Sequence, residues 1–137
     1  MEKETLKIIF KFLEKEENIR APLLFKWKND EPLTEEDLIV KGNLDLANLK
    51  ITSLPEGLKV VDHLYLGNCK NLKSLPEGLE VGGNLILEAC SQLHSLPKGL
   101  KVYGTLYIYT SPLGEYSEEQ LRNMVGDNGY LKRIHYL

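Results

Sequence analysis

Leucine recurs through the middle of this chain with a fixed period. Three tandem units run GNLDLANLKITSLPEGLKV (42–60), DHLYLGNCKNLKSLPEGLEV (62–81) and GNLILEACSQLHSLPKGLKV (83–102), and a fourth begins as GTLYIYTSP at Gly104. The leucine that opens each strand falls at Leu44, Leu64, Leu85 and Leu106, giving spacings of 20, 21 and 21. Repetition at such a period marks a solenoid in which each unit forms one coil. Within the coils, Leu44-x-Leu46, Leu64-x-Leu66, Leu85-x-Leu87 and Leu106-x-Ile108 alternate with period two, which predicts a short strand with one buried face.

The SLPEGL step that follows has a physical reason at each position. Proline at 55, 76 and 97 pushes the leucine before it into an extended conformation. Gly57, Gly78 and Gly99 allow a positive φ where the coil bends back, and the next leucine and valine, as in Leu58-x-Val60, return to the core. Ser53, Ser74 and Ser95 form another constant column, read here as hydroxyls capping local backbone groups. The longer units differ from the first at one corner, where Leu49-Lys50-Ile51 becomes Cys69-Lys70-Asn71-Leu72 and Cys90-Ser91-Gln92-Leu93. A single coil buries too few apolar side chains to offset the ordering of its backbone, so the coils must stack, with strands ~4.8 Å apart in a parallel ladder.

An open solenoid needs its ends covered, and the nonrepeating flanks have the right pattern. Leu6, Ile9, Phe10 and Leu13 are spaced i, i+3, i+4 and i+7, which predicts an amphipathic helix from Glu4 to Glu16. A second helical stretch is expected from Pro22, with Trp27 packed on the first coil, and Thr34-Glu35-Glu36-Asp37 resembles a capping box before a single turn. After the repeats, Ser117-Glu118-Glu119-Gln120 is a capping box, with Tyr116 and Leu121 placed as a hydrophobic staple and a helix stop at Gly126. Asp127-Asn128-Gly129 signals a turn, and residues 130–136 are expected to add a final strand over the last coil.

Composition narrows the class without naming a function. With 137 residues the chain falls in the range of one ordinary domain, and 42% hydrophobic with 27% charged residues are globular values. A net charge of -3 argues against a dominant phosphate-binding surface, so nucleic acid is not an expected partner. The opening MEKETLKIIFKFLEKEEN lacks the layout of a secretory signal, and no stretch reaches the ~18 apolar residues of a membrane span. A cytoplasmic protein with no membrane partner is the expectation.

The pattern LxLxxCxxLxSLPxGL of the second and third units resembles the cysteine-containing leucine-rich repeats, and the shorter first unit is similar to the LPx type of bacterial effectors. More narrowly, SLPEGLxVxGxLxL resembles small repeat proteins of bacteria and their tailed bacteriophages, over roughly residues 40 to 110. The resemblance and the flanks together imply an α+β fold: a short leucine-rich-repeat-like parallel β-solenoid (40–109), an N-terminal helical cap (1–39), and a C-terminal cap of helix plus strand (110–137). For function, the resemblance implies protein binding and transfers no site residues. With so few repeats the broad horseshoe of longer members cannot form, and the surface is expected to be nearly flat.

Residues between the buried leucines point outward and line up in columns across coils. The central column is Asp45, Tyr65, Ile86 and Tyr107; Asn43, His63, Asn84 and Thr105 flank it on one side, and Ala47, Gly67, Glu88 and Tyr109 on the other. Tyr65, Ile86, Tyr107 and Tyr109, rimmed by His63, Glu88 and Asp45, form an aromatic and aliphatic cluster suited to a partner protein. The competing reading is that these side chains merely stack along the ladder or lie beneath a flank. Tyr116 and Tyr136 are candidates to extend the patch. Cys69 and Cys90 occupy equivalent positions one strand spacing apart, close enough for a disulfide, but are read as buried free thiols because Leu49 fills the column in the first unit. Cys90 with His94 is a poor metal site, and His63, His94 and His135 lie in different columns without a nucleophile and carboxylate. No metal, cofactor or catalytic residue is assigned. The expectation is a nonenzymatic scaffold, monomeric or homodimeric, that binds another protein, such as a phage-encoded inhibitor or modulator of a host defence or regulatory protein. The alternative is a structural or assembly component that self-associates through the same face.

Overall fold

The computed structural model describes residues 32–136. The two expected N-terminal helices and Trp27 lie outside the described residues. The chain enters through the expected capping box. Thr34 Oγ1 accepts from the Asp37 amide at 3.1 Å and the Asp37 carboxylate accepts from the Thr34 amide at 3.0 Å, closing a single turn.

Each of the next three coils contains two short strands separated by a tight corner. They are β1 (Ile39–Val40) and β2 (Leu44–Asp45), β3 (Lys59–Val60) and β4 (Leu64–Tyr65), and β5 (Glu80–Val81) and β6 (Leu85–Ile86). In the last coil the corner straightens into one seven-residue strand, β7 (Lys101–Tyr107). All pairings are parallel, and the sheet runs β1-β3-β5-β7-β6-β4-β2. The result is a parallel β-solenoid of about three turns with two ladders that merge in β7. Leu44 pairs with Leu64, Leu64 with Leu85 and Leu85 with Leu106, all fully buried, so the expected leucine registry is present.

The sequence reading placed one strand in each coil; the ladder β1-β3-β5-β7 is a second. Its inward column is Val40, Val60, Val81 and Val102, buried in the core, and its outward column is Ile39, Lys59, Glu80 and Lys101. Glu80 sits between the two lysines, 3.9 Å from Lys59 and 3.5 Å from Lys101.

The coil bends are made by left-handed backbone. Gly57, Gly78 and Gly99 have φ of 84°, 74° and 77°, as expected from the LPxGL step. A second left-handed position, not anticipated, recurs at Asn48, Asn68, Ala89 and Thr110 with φ of 67°, 60°, 57° and 56°. Asparagine tolerates this conformation, and Asn68 Nδ2 also donates to Asn48 Oδ1 at 2.7 Å. Beside these bends the cysteines face inward. Cys69 Sγ donates to the Leu46 carbonyl and Cys90 Sγ to the Leu66 carbonyl, each at 3.1 Å, and both thiols are free and buried. The three serines of the SLP step do not cap the backbone as expected. Ser53, Ser74 and Ser95 are exposed, and no side-chain hydrogen bond among the described residues involves them. The corner turns their hydroxyls toward water, which serves them equally well.

After β7 a 3-10 turn (Pro112–Glu115) leads into α1 (Glu118–Val125). The capping box of Ser117 and Gln120 is formed reciprocally, and Gly126 ends the helix with φ 73°. Tyr116 packs partly buried against the core and Leu121 is fully buried in it. β8 (Tyr130–His135) then pairs in parallel along both halves of β7, with Leu131 on Val102 and Ile134 on Leu106. One apolar core runs from Val40 to Leu131. Among the described residues no helix is long and apolar enough to cross a membrane.

Candidate protein-binding face

The ladder β2-β4-β6-β7 sets the expected central column in register, and β8 lengthens it. Asp45 pairs with Tyr65, Tyr65 with Ile86, Ile86 with Tyr107, and Tyr107 with His135. The ends, Asp45 and His135, are exposed; Tyr65, Ile86 and Tyr107 are half-buried because each shields its neighbours. The rings of Tyr107 and His135 meet edge to face at 5.2 Å between centroids. Asp45 is partly engaged at home, since its Oδ1 accepts from the Ala47 amide at 3.0 Å.

The adjoining column is interlocked rather than free. Glu88 lies across Gly67, where an added Cβ would come within 3.3 Å of its carboxylate arm. A hydrogen bond from the Tyr109 hydroxyl to Glu88 holds that phenol above its ordinary pKa, with desolvation a smaller cause. Gly67, Glu88 and Tyr109 thus line one side of Tyr65, Ile86 and Tyr107.

His63 does not belong to this face. Asn43 Oδ1 accepts from the His63 amide at 2.9 Å, His63 Nδ1 accepts from the Asn84 amide at 2.8 Å, and Asn84 Oδ1 accepts from the Thr105 amide at 2.8 Å. The column expected as a polar rim is a half-buried ladder of side chains, each satisfying the backbone of the next coil. Glycine makes room for it: a Cβ at Gly83 would sit 2.5 Å from His63 Nδ1, and one at Gly104 2.4 Å from Asn84 Oδ1. His63 therefore contributes to the corner, and its ring reaches the face only through a tilted contact with Tyr65, 6.0 Å between centroids.

Among the described residues, the large apolar side chains that stand exposed lie along the other ladder and its continuation into β8, which the sequence reading missed. Val61, Tyr103 and Tyr130 are 51%, 49% and 45% exposed, and the rings of Tyr103 and Tyr130 stand 5.4 Å apart. The signal was in the chain: Lys59-x-Val61 and Lys101-x-Tyr103 continue the period-two alternation outward. An open groove of about 590 Å³ runs beside this ladder, lined by Lys59, Glu80, Lys98 and Lys101 and by Val125 and Asp127 at the end of α1.

Tyr116 and Tyr136 fasten the C-terminal segment rather than widen the patch. Both pack partly buried on the core, and the Tyr136 hydroxyl donates to the Tyr116 carbonyl at 2.8 Å. Burial also pushes the Tyr136 phenol up, with the nearby Glu118 adding to the shift. The buried thiols behave likewise: desolvation, followed by the repulsion of Cys90, raises Cys69 to about 11, and burial raises Cys90. His94 is exposed while Cys90 is buried, which separates that pair. Among the described residues no three His, Cys, Asp or Glu side chains gather as a metal site.

At the C-terminal end of the face a polar hollow of about 410 Å³ opens between α1 and β8. Glu118 and Arg122 line its helix side; Thr105, Tyr107, Arg133 and His135 are among the residues of its sheet side. Comparison with known protein families, curated proteins and solved structures finds no match.

Proposed function

We propose that this chain is a nonenzymatic protein-binding solenoid, leucine-rich-repeat-like, whose partner docks on the outward face of β2, β4, β6 and β7. The observation that carries the reading is the column Tyr65, Ile86 and Tyr107, stacked in register with Tyr109 and Glu88 alongside. Parallel strands hold these side chains in rows that point the same way, which suits contact with a surface better than convergence on a small substrate. Half-buried aromatic side chains on a hydrogen-bonded ladder lose little further freedom on binding, so more of their contact area appears as affinity. Asp45, Glu88 and His135 supply a polar rim. The likeness of its repeats to small bacterial and phage proteins suggests a cytoplasmic setting and a host defence or regulatory protein as the partner.

The test is a variant carrying Tyr65→Ala and Tyr107→Ala. It is expected to keep the circular dichroism of the parent and to bind the partner captured from the native host about tenfold more weakly or worse, since two aromatic anchors are lost. A folded variant that binds normally excludes this face. Solution mass separates this reading from self-association through the same column, which requires a dimer that the two substitutions dissolve.

A further inference from the structure

The sheet ends at β8, which pairs with β7 on one side; among the described residues no strand pairs with its other edge. An unpaired edge is a template for another extended chain, and the side chains it carries decide which chain is accepted. The first part of β8 is partly occupied, because the Arg122 guanidinium donates to the Leu131 carbonyl. Further along, Arg133 and His135 lie in register with Thr105 and Tyr107 and share their outward face, beside the hollow between α1 and β8. Lys132, Arg133 and His135 are all exposed. In a chain whose net charge is -3, this edge is a local reversal of sign. Glu118, the acidic group on the far wall, stands 3.9 Å from Arg122, which offsets it.

We propose that β8 is a docking edge for an extended acidic segment of the partner protein, with carboxylates two residues apart meeting Arg133 and His135 and a third reaching Lys132. This rests on the protein-binding reading and adds the chemistry of the partner. Main-chain pairing along the edge supplies affinity, and the basic side chains select an acidic strand over a basic one. A second copy is a poor occupant by the same logic: pairing β8 with its own counterpart sets Lys132 and Arg133 against like charges.

The experiment uses labelled octapeptides that alternate glutamate with threonine, their glutamine and lysine counterparts, and a short single-stranded DNA, each titrated with the full chain by fluorescence anisotropy. The glutamate peptide is expected to bind, to weaken as salt rises, and to lose about tenfold or more in affinity with Lys132→Glu/Arg133→Glu. Amide exchange in residues 132–135 is expected to slow on binding. Tyr65→Ala, away from the hollow, should leave the peptide affinity unchanged even where it weakens the native partner, so the edge and the face fail separately. Equal binding of the glutamine peptide, indifference to the charge reversals, no binding of the glutamate peptide, unchanged amide exchange, or equal binding of the DNA overturns the proposal.

Discussion

His63 Nδ1 takes the hydrogen bond that a carboxamide oxygen takes at Asn43 and Asn84, one coil to either side. Geometry at this position asks for an acceptor of the right reach, which two residue types provide. His63→Asn is accordingly expected to unfold in urea at nearly the parent midpoint. His63→Leu leaves the Asn84 amide half-buried without an acceptor and should cost about 1–3 kcal/mol in the same measurement. The thiols set a second residue-scale expectation. Cys69 and Cys90 have folded pKa values above those of the open chain, so their stabilising effect is intact below the unfolded thiol value and is lost as pH rises through the folded values. Thermal midpoints should therefore fall between about pH 9 and 11, less steeply in Cys69→Ala/Cys90→Ala. Tyr109 and Tyr136, also raised, add to the loss in the same direction. A profile identical in the double variant would remove the thiols from this account.

Among the elements, α1 owes its start to a local box that the chain states plainly. Ser117→Ala removes the acceptor for the Gln120 amide and should lower stability by about 1 kcal/mol, read by chemical unfolding. Elements of this kind were legible in the sequence, as was the ladder of β2, β4 and β6, because each depends on a pattern local to a few residues. The ladder of β1, β3 and β5 was not. Its strands are as short as those of β2, β4 and β6, but Leu58-x-Val60 and its equivalents follow directly on the glycine bend and read as the chain returning to the core, and only their pairing with the next coil makes them a ladder. The face was legible in part for the same reason. Period two fixed which way Tyr65, Ile86 and Tyr107 point, whereas their half-burial and the capture of His63 depend on neighbouring coils. Val61, Tyr103 and Tyr130 went unread because the strand that presents them was unread.

For the molecule as a whole, stability resides between coils rather than within them. Leu85 is fully buried, paired on both sides with Leu64 and Leu106, so Leu85→Ala opens a cavity in the middle of the stack. The expected cost is about 2–5 kcal/mol by denaturant unfolding, and a loss under 1 kcal/mol would mean that the stack collapses to refill the space. The pairing of β8 along both halves of β7 has a consequence for how such a chain can lengthen. Upstream, every coil presents the same broken outline to the next, so a duplicated unit can be spliced in between neighbours and find matching steps above and below. β7 still meets the broken coil before it in step, with Val81 on Val102 and Leu85 on Leu106, but β8 covers the same interval, from Leu131 to Ile134, with one residue fewer and slips register there. A copy of the earlier units fits between neighbours before Lys101 but would meet β8 out of step, so growth by duplication is confined to those coils and the strand that finishes the stack stays last however many turns precede it.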